Sequence, residues 1–158
     1  PEGDRFRSLP ASPFWLRGKQ SVVIDLRTNA GRAQAKQLAA TADVVVVSGP
    51  PSRLATWGLD SSLLEALPQL VHCTISGWGT QGPYAEIPGY EGIVAAKSGR
   101  MAAFDVQLQE DRPVFAAVPV ATHGVSQTAV QGILAAPVPY THLRAHETVL
   151  DLVCRLLL

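Results

Sequence analysis

Arg27 and Lys19 flank an apolar run, Ser21 to Leu26. A cation at the end of a strand is placed to pair with a phosphate; the alternative is an ordinary solvated surface. Trp57 and Trp78 lie in two loops of small residues, Pro and Gly, where an indole can stack on a flat ring or simply pack. Gly77, Gly79, Gly82 and Gly89 resemble a dinucleotide fingerprint, but Pro83 and Tyr84 interrupt the place where its helix should open. Backbone freedom in a loop that approaches a ligand or another strand is their plainer role. Ser76-Gly77-Trp78-Gly79 lacks the residue order of a nucleophile elbow, which leaves Ser76 as a strand-end hydroxyl. His72, His123, His142 and His146 have no carboxylate or cysteine spacing that builds a metal site, and the i, i+4 pair His142 and His146 lacks a third ligand. Cys73 and Cys154 offer neither a disulfide framework nor metal spacing, so Cys73 reads as a small core residue.

The elements that carry these residues centre on Asp43 to Tyr84. Asp43 to Val47 contains four consecutive valines, the pattern of a strand covered on both faces in a parallel sheet, and Leu70 to Ile75 is a second strand. Between them Asp60 precedes SLLEAL, whose Leu63, Leu64 and Leu67 share a helical face until Pro68 stops the helix. Ligands of open α/β sheets sit beyond the carboxyl ends of the strands, which points to the loops Ser48 to Trp57 and Ser76 to Tyr84. Upstream, Ser21 to Leu26 predicts a strand, and Thr28 caps a following helix with Ala30, Ala33, Leu38 and Ala39 as its apolar stripe. Downstream, Glu91 to Gly99 is helical, Pro113 to Val120 extended, and Thr122 to Ala136 a helix broken at Pro137. The expected class is α/β, a Rossmann-like parallel sheet flanked by helices. It reads as incomplete, because such a domain normally opens on a buried strand and here an irregular lead-in precedes the first one.

At 158 residues, 47% of them hydrophobic and 16% charged, the chain is long enough for a globular core. It has no apolar run of spanning length and no apolar leader in PEGDRFRSLP, so the expectation is a cytoplasmic protein without a membrane partner. Net charge is zero, which argues against a general nucleic-acid binder. The charge is uneven: before position 41, Arg5, Arg7, Arg17, Lys19, Arg27, Arg32 and Lys36 outnumber Glu2, Asp4 and Asp25. A basic start suits a small phosphate-bearing ligand better than a duplex. The stretch Pro137 to Leu158 changes character, with two histidines and a bare LLL end. It resembles a peptide read through from a sequencing adapter, which would make it foreign to the fold.

Several motifs together resemble family III CoA-transferases, the group that includes alpha-methylacyl-CoA racemases: PEGDRFR, RGKQSVVIDLRTNAGR, ADVVVVSGPPSRLATWGLD, PQLVHCTISGWGTQGPY, PGYEGIVAAKSG and VPVATHGVSQTAVQGILAA. They run in the family's order from about Pro1 to Ala136, a third or so of a family member. The resemblance implies a CoA-binding Rossmann-like domain in a homodimer whose chains interlock like rings. It implies an acyl-CoA and a free carboxylic acid as partners, with coenzyme A as substrate and no permanently bound cofactor or metal. By position Ile24 corresponds to an apolar adenine contact and Arg27 to a basic residue near the CoA phosphates. Ser48 falls where the family has Asn, and Thr56 and Trp57 where an Arg and an apolar residue line the nucleotide.

The catalytic departure is larger. The family aspartate, which forms a mixed anhydride and then an aspartyl-CoA thioester, stands ten residues before the glycine of G-I-L-A-A. Counting back from Gly132 gives Thr122. An alcohol, un-ionised near neutral pH, cannot replace a carboxylate in anhydride exchange, so no catalytic residue is assigned and the fragment is expected to be inactive. The racemase histidine is replaced by Tyr90, and Glu91 reads as a solvent-facing helix carboxylate. His123 adjoins Thr122, but neighbours in a helix point in different directions. The alternative is a non-catalytic CoA-binding or structural half of a fused protein. A generic nucleotide-binding domain, which would prefer nicotinamide nucleotides to CoA, is the third reading.

Overall fold

A computed structural model describes residues 5–103 and 112–136. The expectation for Pro137 to Leu158 lies outside those residues. The chain divides into two compact units, Pro1–Thr41 and Ala42–Leu158.

The first unit holds a 3-10 turn, Arg5–Ser8, and two helices, α1 (Ser12–Leu16) and α2 (Asn29–Ala39). Thr28 caps α2 as its residue type predicts: extended itself, it accepts from the Gly31 amide at 3.0 Å and donates its hydroxyl to the Asp25 carbonyl at 2.9 Å. Of the expected stripe only Ala39 is buried; Leu38 is exposed, and Gly31 supplies the other buried position. Ser21 to Leu26 is not a strand. The described sheet consists of two strands from the second unit, so these residues have β-propensity without a ladder to join, and Val22 and Val23 are exposed.

The second unit is built on β1 (Val44–Ser48) and β2 (Val71–Ile75), parallel in the register Val44 to Val71 through Ser48 to Ile75. Two short helices, α3 (Pro51–Trp57) and α4 (Leu63–Ala66), make the crossover that parallel neighbours require. The architecture is therefore mixed α/β with a two-stranded parallel sheet. Only half of the four-valine expectation holds: Val47 is buried, whereas Val44 and Val46, on the opposite face by strand alternation, are 36% and 52% exposed. Leu54, Leu63, Leu70 and Cys73 complete the buried apolar set around the crossover.

The helix α3 occupies a stretch expected to be loop. Pro51 sits in its first turn, where the missing amide is harmless, and Gly58 ends it in the left-handed region at φ 64°. Gly58 donates to the Ala55 carbonyl at 2.9 Å and Leu59 to that of Leu54 at 3.0 Å, the paired bonds of a Schellman close. α4 opens at Leu63, one residue into the SLLEAL run; Asp60 accepts from the Leu63 amide through its carbonyl, not its carboxylate.

Beyond β2 come α5 (Glu91–Lys97), α6 (Arg100–Ala103) and α7 (Val120–Ala135), the last beginning two residues before its expected start. Gly124 lies inside α7 with open space where a Cβ would go, so Gly124→Ala is expected to raise stability by about 0.5–1 kcal/mol. Gly58→Ala, forced to keep a left-handed residue, should lower it by about 1 kcal/mol. Urea midpoints of the two variants moving in opposite directions check both.

Candidate functional site

Ser48 ends β1 exposed, and the chain turns at Gly49 and Pro50 straight into α3. Thr56 and Trp57 close that helix. The Thr56 hydroxyl donates to the Ser52 carbonyl at 2.8 Å, and the Trp57 ring has the Arg53 guanidinium 5.9 Å from its centroid, at the outer limit of a cation–π contact. The three predicted residues of this stretch therefore share one strand, turn and helix. Glu86 ties that stretch to the loop after β2: it accepts from the Ser52 amide at 3.1 Å and from the Ser52 hydroxyl at 2.5 Å, capping the start of α3 from 34 residues away. The cap joins α3 to the segment that follows β2, and the parallel register starts both connections from the same end of the sheet.

Gly77 and Gly89 clamp the second loop on itself. A Cβ on Gly77 would lie 2.5 Å from the Gly89 Cα, and one on Gly89 would lie 2.7 Å from the Gly77 nitrogen, so two backbones touch where no side chain fits. Gly79 and Gly82 take φ of 78° and 94°, and the chain continues in turns until α5 opens at Glu91. The glycines serve the turns and the close approach, and no helix starts where a dinucleotide fingerprint needs one. Within the loop, Trp78 and Tyr84 lie 5.8 Å apart and Lys97 Nζ stands 4.7 Å over the Tyr84 ring. The Trp78 indole N–H is buried without a hydrogen-bond partner among the described residues.

Glu91 differs from its sequence reading. Its side chain is only 15% exposed, and it reaches across 31 residues to the start of α7. Oε1 accepts from the Ala121 amide at 2.9 Å; Oε2 accepts from the Thr122 amide at 2.8 Å and from the Thr122 hydroxyl at 2.7 Å. These are the helix amides that have no carbonyl of their own to bond, and Pro119 at the N-cap has no side chain to satisfy them. Arg100 Nη1 lies 3.8 Å from Oε1. Burial by itself raises the Glu91 carboxyl; the Thr122 hydroxyl, the two amides and the Arg100 charge outweigh it and hold the group below the usual glutamate range. Glu91 and Arg100 line a small cleft with Ala95, Met101, Val114 and Phe115. Thr122, the position singled out in the sequence, therefore meets a carboxylate that one sequence could not place there.

In the first unit Ile24 is half-buried, and Arg27 pairs with Asp25 two residues earlier. Nε donates to Oδ1 and Nη2 to Oδ2, each at 2.8 Å, while the Arg27 side chain stays 78% exposed. The hydrogen bond from Arg27 holds the Asp25 carboxyl down at about 2, and its partner raises the Arg27 guanidinium. A folded-state value below the ordinary 3.8 means that the pairing contributes fully above that value and is lost as the pH falls towards 2. A carboxyl-carbon NMR titration should find the Asp25 midpoint near 2 and, in Arg27→Ala, back in the ordinary range. Lys19 donates to the Trp15 carbonyl at 2.6 Å, and His72 Nε2 lies 2.9 Å from the Leu59 carbonyl. Among the described residues no three His, Cys, Asp or Glu side chains form a group that could hold a metal.

The model of CoA-transferase family III matches residues 1–141. A succinate–glutarate CoA-transferase from Agrobacterium fabrum is 46% identical over 86 residues, 54% of this chain and 22% of its own length. A probable fatty acyl-CoA transferase from Mycobacterium tuberculosis is 31% identical over 131 residues, 80% of this chain and 33% of its own. A crystal structure of the Mycobacterium tuberculosis protein superposes with a TM-score of 0.79 at 26% identity, covering 99% of this chain and 46% of that one. The chain thus spans about a fifth to a half of the length of these relatives.

Proposed function

The chain belongs to CoA-transferase family III, and from that premise we propose that it forms the CoA-binding part of an enzyme moving coenzyme A between an acyl-CoA thioester and a free carboxylic acid. CoA is substrate here, not a resident cofactor. By the family's positions the proposed CoA contacts are Ile24, Arg27, Ser48, Thr56 and Trp57, in a Rossmann-like domain of an interlocked homodimer. The observation that carries the reading is the joining, through Glu86 and Ser52, of the two loops beyond β1 and β2. It gathers Ser48, α3 and the Trp78 loop at the strand ends, where ligands of α/β sheets bind. Among the described residues no helix is long and apolar enough to cross a membrane.

Relatives named for succinate and glutarate make dicarboxylic acids the first substrates to try. Succinyl-CoA is incubated with the chain and isotopically labelled glutarate, and formation of labelled glutaryl-CoA is followed. Transfer supports the enzyme reading. Binding of CoA without transfer supports the alternative, a non-catalytic CoA-binding half of a fused protein, which Thr122 at the aspartate position favours. Preference for nicotinamide nucleotides over CoA would contradict both.

A further inference from the structure

We infer, resting on the CoA-binding reading, that Asp25 sets the affinity for the substrate: a phosphate of CoA takes the Arg27 guanidinium over from the Asp25 carboxylate. The turn that carries both residues separates fixed parts from a movable one. The Asp25 carbonyl accepts from the Thr28 amide at 3.1 Å and from the Thr28 hydroxyl at 2.9 Å, and Gly31 stands so close to it that no Cβ would fit. Arg32 Nη1 donates to the Leu26 and Arg27 carbonyls, each at 3.1 Å. The carboxylate is anchored as well, since Oδ1 accepts from the Arg27 amide at 3.0 Å. None of these bonds uses the Arg27 side chain. It is mostly exposed, and it can leave without disturbing the turn.

Charge makes Asp25 a competitor of the phosphate and not its helper. Nε and Nη2 form one edge of the fork that grips an oxyanion through two parallel bonds, and both are engaged by Asp25 at 2.8 Å. A phosphate arriving at the intact pair meets two charges that cancel. When the guanidinium turns to the phosphate, Oδ1 keeps the Arg27 amide and water replaces the guanidinium at Oδ2, a small loss for an exposed ion pair. Asp25 therefore lowers the affinity for CoA through Arg27, which suits a substrate that must dissociate at the end of each turnover.

The test is calorimetric titration with CoA, at low salt, of the unaltered 158-residue chain, Asp25→Asn, Arg27→Ala and the double variant. Asp25→Asn keeps an oxygen for the Arg27 amide, so its melting transition should be retained. It should bind CoA about three- to fivefold more tightly than the parent, the upper range for an exposed pair, and the gain should shrink as salt is added. In the Arg27→Ala background the same substitution should change affinity by less than about twofold. Dephospho-CoA, which lacks the ribose phosphate, identifies the group involved: a gain retained with it assigns the pyrophosphate, a gain lost assigns the ribose phosphate. In the parent, saturation with CoA should move the Asp25 carboxyl-carbon resonance to its position in Arg27→Ala. Equal or weaker CoA binding by Asp25→Asn, an equal gain without Arg27, or an Asp25 resonance that stays in place at saturation overturns the inference and leaves the CoA reading standing. Parent and variants that bind no CoA remove both.

Discussion

Gly89→Ala is expected to lower stability by about 3 kcal/mol, the upper range for an added methyl in a packed site. The methyl would fall 2.7 Å from the Gly77 nitrogen and 2.8 Å from its Cα, and neither belongs to a side chain that can swing away. Relief requires moving the segment that carries Glu86 and Glu91, so the caps of α3 and α7 are disturbed together. Gly77→Ala meets the same contact from the other side, at 2.5 Å from the Gly89 Cα, and should behave alike. Gly79→Ala is the control. Open space surrounds that position, so it bears only the cost of a left-handed φ, about 1 kcal/mol. Denaturant midpoints that rank Gly79→Ala with the other two would contradict the backbone contact.

The second large effect is at Glu91. Glu91→Ala removes a mostly buried carboxylate that satisfies two amides and a hydroxyl, and leaves the first turn of α7 without an acceptor. The expected cost is about 2–3 kcal/mol, combining a lost helix cap with charge-assisted hydrogen bonds. Glu91→Gln keeps an acceptor and should cost about 1 kcal/mol. The carboxyl titrates below its ordinary 4.5 in the fold, so its contribution is complete above that value and lost as the pH falls through the depressed one. Parent and Glu91→Gln stabilities, separate at pH 7, should therefore converge on acidification; a constant difference would show that the charge contributes nothing.

Local signals were legible in the sequence. Four valines and the run Leu70 to Ile75 marked the two strands, Thr28 marked the cap of α2, and Pro137 the end of α7. The helix α3 was read as loop, because the surrounding Gly and Pro masked the proline at its start and Gly58 at its end. Ser21 to Leu26 misled because strand propensity does not say whether a neighbour exists. The site was least legible at its centre. Glu91 sits in the first turn of a helix, where an acidic residue needs no other explanation, and nothing local to it names Thr122, 31 residues onward in the first turn of α7. The same holds for Glu86 and Ser52.

The central proposal is that coenzyme A contacts the residues at the family's CoA positions, Ser48, Thr56 and Trp57 beyond β1 together with Ile24 and Arg27. An amide NMR titration with CoA tests it residue by residue. The account predicts saturable shifts at Ile24, Arg27, Ser48, Thr56 and Trp57. Shifts confined to other residues, or none at saturating CoA, would contradict it.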